Sequence, residues 1–203
     1  MIPEYALMIP TQVPEPFHRD GWVYEEKVDG WRILAYKDGA RVQLMSPTGI
    51  DHARRFPDVT ASIAALSVPT LVLDGEVAIF DEQLRSRFEW LPHAKPDVLA
   101  TPPIYMAFDA LYRAGEDLTD RPLEDRRVLL EYVIAGRDLI IPARRLARDG
   151  LAAWAQVLGK GYEGYVAKDQ ASPYHGGVTR SWLTVTVPGW TDPEDGWARV
   201  RLV

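Results

Sequence analysis

The chain has 203 residues, 47% of them hydrophobic and 26% charged, an ordinary globular composition that excludes disorder, collagen and coiled coil. Lysine plus arginine is 23 against 29 aspartate plus glutamate; the net charge of −6 argues against a strongly basic nucleic-acid module but leaves room for a local basic patch. With no cysteine, disulfides, thiolate catalysis and Cys-ligated zinc are excluded, and His18, His52, His93 and His175 lack metal-ligand spacing.

Four prolines, Pro3, Pro10, Pro14 and Pro16, predict an extended, irregular lead-in over residues 1–20. Order begins at Trp22. Residues 22–27 read as a strand ended by Asp29-Gly30, and 31–36 and 41–44 as two more joined at Asp38-Gly39, an antiparallel meander. A helix is expected over 54–66, then a long apolar strand over 71–80 and another over 104–112. Pro122 opens a helix whose apolar face runs from Leu123 to Val133, with Thr119 and Asp120 as candidate caps. Another helix follows Asp149, with Leu151, Trp154 and Leu158 at helical spacing and Gly161 past its end. Strands over 163–168 and 182–187 complete the pattern, which favours an α+β fold with two largely antiparallel sheets and flanking helices in a single domain, 1–203. No run approaches the roughly 18 to 20 apolar residues of a membrane span, and the start lacks a signal-peptide pattern, so a soluble cytoplasmic protein is expected.

Chemistry-bearing residues recur at strand ends. Lys27-Val28-Asp29-Gly30-Trp31-Arg32 sets a lysine before a tight turn and an arginine after it, and period-two alternation puts Glu25 and Lys27 on one face. Asp74-Gly75-Glu76 interrupts an apolar strand with two carboxylates on one face, where burial without partners is costly and a polar site is expected. Gly75 permits a close backbone approach. Phe108 lies in a run that is apolar apart from Asp109, a place where core packing is the ordinary role of an aromatic. In Glu163-Gly164-Tyr165-Val166-Ala167-Lys168, the glutamate and lysine reach one pocket only if Glu163 precedes the regular strand.

In this order, with Arg180-Ser181-Trp182 following, these segments resemble motifs I, III, IIIa, IV and part of V of the covalent nucleotidyltransferases. The resemblance is to the adenylation domain of ATP-dependent DNA ligases, nearest the ligase module of bacterial end-joining ligases, and runs from about Trp22 to Val187. It implies that Lys27 attacks the α-phosphorus of ATP, expels pyrophosphate and forms a lysyl-AMP, which passes AMP to a 5′-phosphate end for strand joining in DNA repair. A lysine nucleophile needs desolvation or neighbouring cations, which Arg32 and Lys168 are expected to supply. The resemblance further implies that Glu76 and Arg32 hold the ribose, Phe108 and Val166 flank adenine, and the segment around Glu25 reads its exocyclic amine. Lys168 is implied to meet phosphate, and Glu163 and Glu76 to hold Mg²⁺. The implied partners are nicked or broken nucleic acid, DNA foremost, and a separate barrel-bearing or repair protein.

Some positions depart from that pattern. Thr184 and Thr186 stand where two phosphate-binding lysines are expected, and Pro47 where the family has an arginine that contacts phosphate or DNA. About sixteen residues follow Val187, without room for the family's oligonucleotide-binding barrel. An RNA ligase, a GTP-using capping enzyme and a catalytically weakened nucleotide- or DNA-binding module are the alternatives.

Overall fold

A computed structural model describes residues 2–91 and 100–190. One sheet contains β1 (Met8–Gln12), β2 (Trp22–Glu26), β9 (Gly164–Asp169) and β10 (Gly177–Thr186), in the spatial order β1-β10-β9-β2. The other contains β3 (Trp31–Asp38), β4 (Arg41–Met45), β5 (Thr70–Ala78), β6 (Ile104–Arg113) and β7 (Glu116–Asp117), in the order β4-β3-β5-β6-β7, while β8 (Ile140–Pro142) pairs with β6 in parallel. Helices α1 (Pro57–Ala64) and α2 (Leu123–Ile134) pack on the second sheet, and α3 (Gly150–Lys160) on the first.

Among the described residues the buried apolar side chains form four clusters, the smallest of them Ala78, Phe80, Met106 and Ala143. Phe56, Val59 and Ile63 from α1 and Leu130 and Ile134 from α2 cover the outer face of the second sheet. Tyr24, Tyr165 and Val185 meet Ala153 and Val157 of α3 on the outer face of the first. Between the sheets, Met8, Leu34, Val72 and Trp182 pack together beside Phe108 and Val166. The functional cleft opens at the edge of that middle layer. Among the described residues no helix is long and apolar enough to cross a membrane.

The structure corrects several sequence expectations. The lead-in contains β1, paired in parallel with β10, and Pro10 is tolerated there because β1 is an edge strand. The opening is not a three-stranded meander. Only β3 and β4 form the expected hairpin; β2 pairs instead with β9, so Asp29-Gly30 is the crossing between sheets rather than a hairpin turn. Helix α1 starts later than expected because residues 52–56 form a turn, with Arg55 and Phe56 amides donating to His52 O, and Pro57 takes the first helical position. Pro122 itself occupies the cap position of α2 in extended geometry, so Thr119 and Asp120 cap nothing; the Thr119 hydroxyl donates to Asp117. Asp149 caps α3 as a side-chain acceptor for the Leu151 and Ala152 amides, 2.9 Å each, and Gly161 closes that helix. Strand β10 begins at Gly177, five residues before its expected start at Trp182.

Candidate active site

Alternation along the ladders determines what enters the cleft. Across β2, β9 and β10, Glu25 lies opposite Val166 and Val166 opposite Thr184, so all three share a face. Across β3 and β5, Arg32 lies opposite Glu76. The two faces enclose a cavity of about 100 Å³ whose walls include Lys27, Arg32, Glu76, Phe108, Val166 and Lys168. A larger cavity of about 740 Å³ lies elsewhere, between Tyr5, Tyr36, Arg41 and Pro47, and holds none of those residues.

Lys27 follows β2 directly, with its amide donating to Gly164 O at 3.0 Å. Its amine is paired with the Glu163 carboxylate. Glu163 precedes β9 and therefore escapes the strand's alternation; it reaches the Lys27 amine, while Lys168 lines the cavity itself. Gly164 is required by packing, since a Cβ there would strike the Val185 carbonyl of β10.

The other cations are also paired with carboxylates. Arg32 makes a bidentate pair with Asp74, Nε to Oδ1 and Nη2 to Oδ2, each 2.7 Å, and donates to Met8 O at 3.1 Å. Burial opposes the Arg32 charge, but Asp74 outweighs it and raises the guanidinium pKa. Lys168 donates to Glu25 Oε2 at 2.6 Å, and its ammonium lies 4.3 Å from the Phe108 ring centre and 4.2 Å from that of Trp182. Burial lowers the Lys168 pKa against the pull of Glu25. Burial pushes Glu25 up, but Arg127 and Lys168 together bring it below the usual carboxylate value. Lys27, Arg32 and Lys168 thus line one cavity, each paired with a carboxylate.

The two carboxylates of Asp74-Gly75-Glu76 differ. Asp74 is wholly buried and accepts from Arg32 and from the Tyr174 hydroxyl at 2.7 Å, so it orients other groups instead of facing an open polar site. Glu76 is only partly covered from solvent, yet the density of protein around it pushes its pKa to about 7, against Arg32 and Lys27. The close approach at Gly75 is internal to the sheet. A Cβ there would lie 2.6 Å from Met106 O and 2.7 Å from the Tyr105 ring, whose hydroxyl donates to Ile33 O and Leu73 O.

Sequence reasoning did not identify Arg127 or Tyr174. Arg127, 2% exposed, lies 3.2 Å from Glu25 and donates to Ala107 O and Ala143 O. Its signal was present: Arg126 and Arg127 interrupt the buried stripe of α2 formed by Leu123, Leu130 and Ile134, and buried arginines require partners. Glu76 and Glu163 act on each other electrostatically and are hard oxygen donors suited to Mg²⁺, which takes one or two carboxylates and completes its shell with water and substrate phosphate. Among the described residues no group of three or more metal-binding side chains occurs; His93 lies outside those residues.

Two facing sheets with a lysine at the mouth, acids beside it and an aromatic within form the nucleotidyltransferase fold of DNA ligases. A mycobacterial DNA ligase D solved with ATP and MES superposes with a TM-score of 0.77 at 29% identity, over 90% of this chain and 60% of that one. The family model for the ATP dependent DNA ligase domain matches residues 6–185, and the chain belongs to that family. It is 31% identical to the multifunctional non-homologous end joining protein LigD of Pseudomonas aeruginosa, over 95% of this chain and 24% of that protein. It is 36% identical to a probable DNA ligase of Streptomyces griseus, over 79% of this chain and 35% of that protein. The chain therefore spans about a quarter to a third of these curated relatives' length.

Proposed function

We propose that this chain is the adenylation module of an end-joining DNA ligase, with Lys27 as its nucleophile. The observation that carries the reading is the Lys27 amine at the mouth of an inter-sheet cleft, paired with Glu163 and facing Glu76, with Phe108 and Val166 inside. After losing a proton, the amine attacks the α-phosphorus of ATP. The N–P bond forms as the bond to the β-phosphate oxygen breaks, and its electron pair leaves on pyrophosphate. A 5′-phosphate oxygen of a broken DNA strand then displaces Lys27 and takes the AMP, and a 3′-hydroxyl displaces AMP to join the strands.

The residues fit the remaining roles by chemistry. Phe108 offers a face that stacks on any base, Val166 closes the other side, and Glu25 provides the acceptor that favours adenine. Arg32, oriented by Asp74, keeps one guanidinium nitrogen for the ribose. Glu76 and Glu163 would hold Mg²⁺, which when bound neutralises phosphate charge. Lys168 must exchange Glu25 for phosphate before it can act on the nucleotide.

Incubation with α-labelled ATP and Mg²⁺ is expected to label the wild-type protein and leave Lys27→Ala unlabelled. Equal labelling of both would assign the nucleophile elsewhere. One observation favours a second reading, a nucleotide- or DNA-binding module without turnover: each cleft cation, Lys27, Arg32 and Lys168, is already paired with a carboxylate, and Thr184 adds none. Intact mass separates the two, because only the enzyme gains AMP.

A further inference from the structure

Glu25 is held between two cations. Its Oε2 accepts from Lys168 at 2.6 Å, while Arg127 approaches Oε1 at 3.2 Å and is itself fixed by two carbonyls. Glu25 also lies opposite Val166, and the ammonium it holds sits 4.3 Å from the centre of the Phe108 ring, over which the Arg32 guanidinium also lies at 4.6 Å. Lys168 and the amine of a bound purine therefore compete for the Glu25 acceptor.

We propose that Glu25 couples base selection to phosphate activation by exchanging donors. An adenine C6 amine is an N–H donor, and when it donates to Glu25 Oε2 it replaces the Lys168 ammonium. Lys168 then leaves Phe108 and Trp182 for the nucleotide phosphates. Arg127 stays on Glu25 as a positioning residue, so the carboxylate is never left buried without a cation. A base with a carbonyl oxygen or only hydrogen at C6 cannot make the exchange, and Lys168 remains on Glu25. Discrimination then appears in the rate of the chemical step and not only in binding, because the lost contact is one made to the reacting phosphates.

The inference rests on the adenylation reading, and the test distinguishes the two. Single-turnover formation of the Lys27 adduct is measured with ATP, with ITP (oxygen at C6) and with purine riboside triphosphate (hydrogen at C6). Nucleotide affinity is measured in parallel by competition. In the wild type, saturating ATP is expected to react about 100-fold faster than saturating purine riboside triphosphate or ITP, the scale of losing one charged contact to the transition state. Glu25→Gln and Lys168→Met are each expected to shrink that ratio to within about threefold, Lys168→Met because no cation remains to be released. A ratio that persists in Lys168→Met and disappears in Glu25→Gln overturns the exchange and leaves Glu25 as a simple reader. Equal saturating rates in the wild type, with all discrimination in affinity, overturn it without any variant and cover the case in which Lys168→Met does not fold. No adduct with ATP in the wild type refutes the adenylation reading itself, and the exchange with it.

Discussion

Restoring charge at Thr184 is expected to accelerate adenylation. Thr184 is 6% exposed on the cleft face of β10, opposite Val166, and its hydroxyl makes only a long 3.4 Å bond to Tyr165 O, so little is lost when it is replaced. The cations already in the cleft are committed to Glu163, Asp74 and Glu25. A lysine ammonium about 4 Å from a phosphate charge gains about 4 kcal/mol at an effective dielectric near 20. Ordering a lysine side chain costs about 2 kcal/mol. The remainder, about 2 kcal/mol, corresponds to about a 30-fold rise in kcat/KM for Lys27 adenylation in Thr184→Lys. The assay is the initial rate of label transfer from α-labelled ATP across a range of ATP concentrations. Thr184→Met, of similar length without charge, separates electrostatics from crowding. If the methionine variant matches the lysine variant, or if the lysine raises kcat/KM less than about threefold, the view of this cleft as deficient in free cations is wrong.

Burial pushes the Glu26 carboxyl up to about 7 from 4.5, against Arg144 at 2.9 Å. The folded protein thus keeps a proton that the unfolded chain has released, and stability falls as pH rises from about 4.5 to 7, by at most about 3 kcal/mol. Glu26→Gln is expected to be more stable than wild type in urea unfolding at pH 8 and equal to it below pH 4.5; a difference that grows towards acid contradicts the assignment. The Asp109–Arg126 pair is fully buried, with contacts of 2.7 and 2.8 Å, and Asp109→Asn is expected to cost about 3–5 kcal/mol in the same measurement by stranding the guanidinium. Tyr174→Phe removes a hydroxyl that donates to Asp74 and accepts from the Met8 amide at 3.0 Å, leaving a buried N–H without its partner. A loss of about 1–3 kcal/mol is expected in thermal unfolding, and a loss below about 0.5 kcal/mol would mean that water takes the hydroxyl's place.

How much was legible in the sequence depended on the range of the contact involved. Local signals located the motif strands and α3, because alternation, the Asp149 cap and Gly161 act within a few residues. The pairing of β2 with β9 joins residues about 140 apart, such as Glu25 and Val166, and nothing near Trp22 specifies that partner. The tight turn at Asp29-Gly30 therefore looked like a hairpin, although the chain there passes from one sheet to the other. Pro10 concealed β1 for a related reason: only the finished sheet shows that its strand lies at an edge. At the site, residue identity placed the acids and cations in one cleft, while their pairing required three dimensions. Lys168 is expected from the sequence as a cation near Lys27, and the ladder adds its partner Glu25, which alternation alone does not name.

The consecutive arginines of α2 suggest why that pairing can hold the cleft open to a nucleotide. Arg126 grips Asp109 of β6 and also donates to Ser172 O, just beyond β9, so it joins both sheets. Arg127 does the same one residue later, from Ala107 O of β6 to Glu25 of β2. Apolar side chains of equal volume would often be as stable in such a place, since desolvating an ion pair is costly. What they lack is directionality: a guanidinium fork fixes the distance and angle between the strands that it bridges. One helix therefore sets the spacing of the sheets at two adjacent points, and the second of those points is the carboxylate that holds Lys168. In the proposed exchange the same arginine that bridges the sheets also lets Lys168 pass from Glu25 to the phosphates, because Glu25 keeps a cation when the lysine departs.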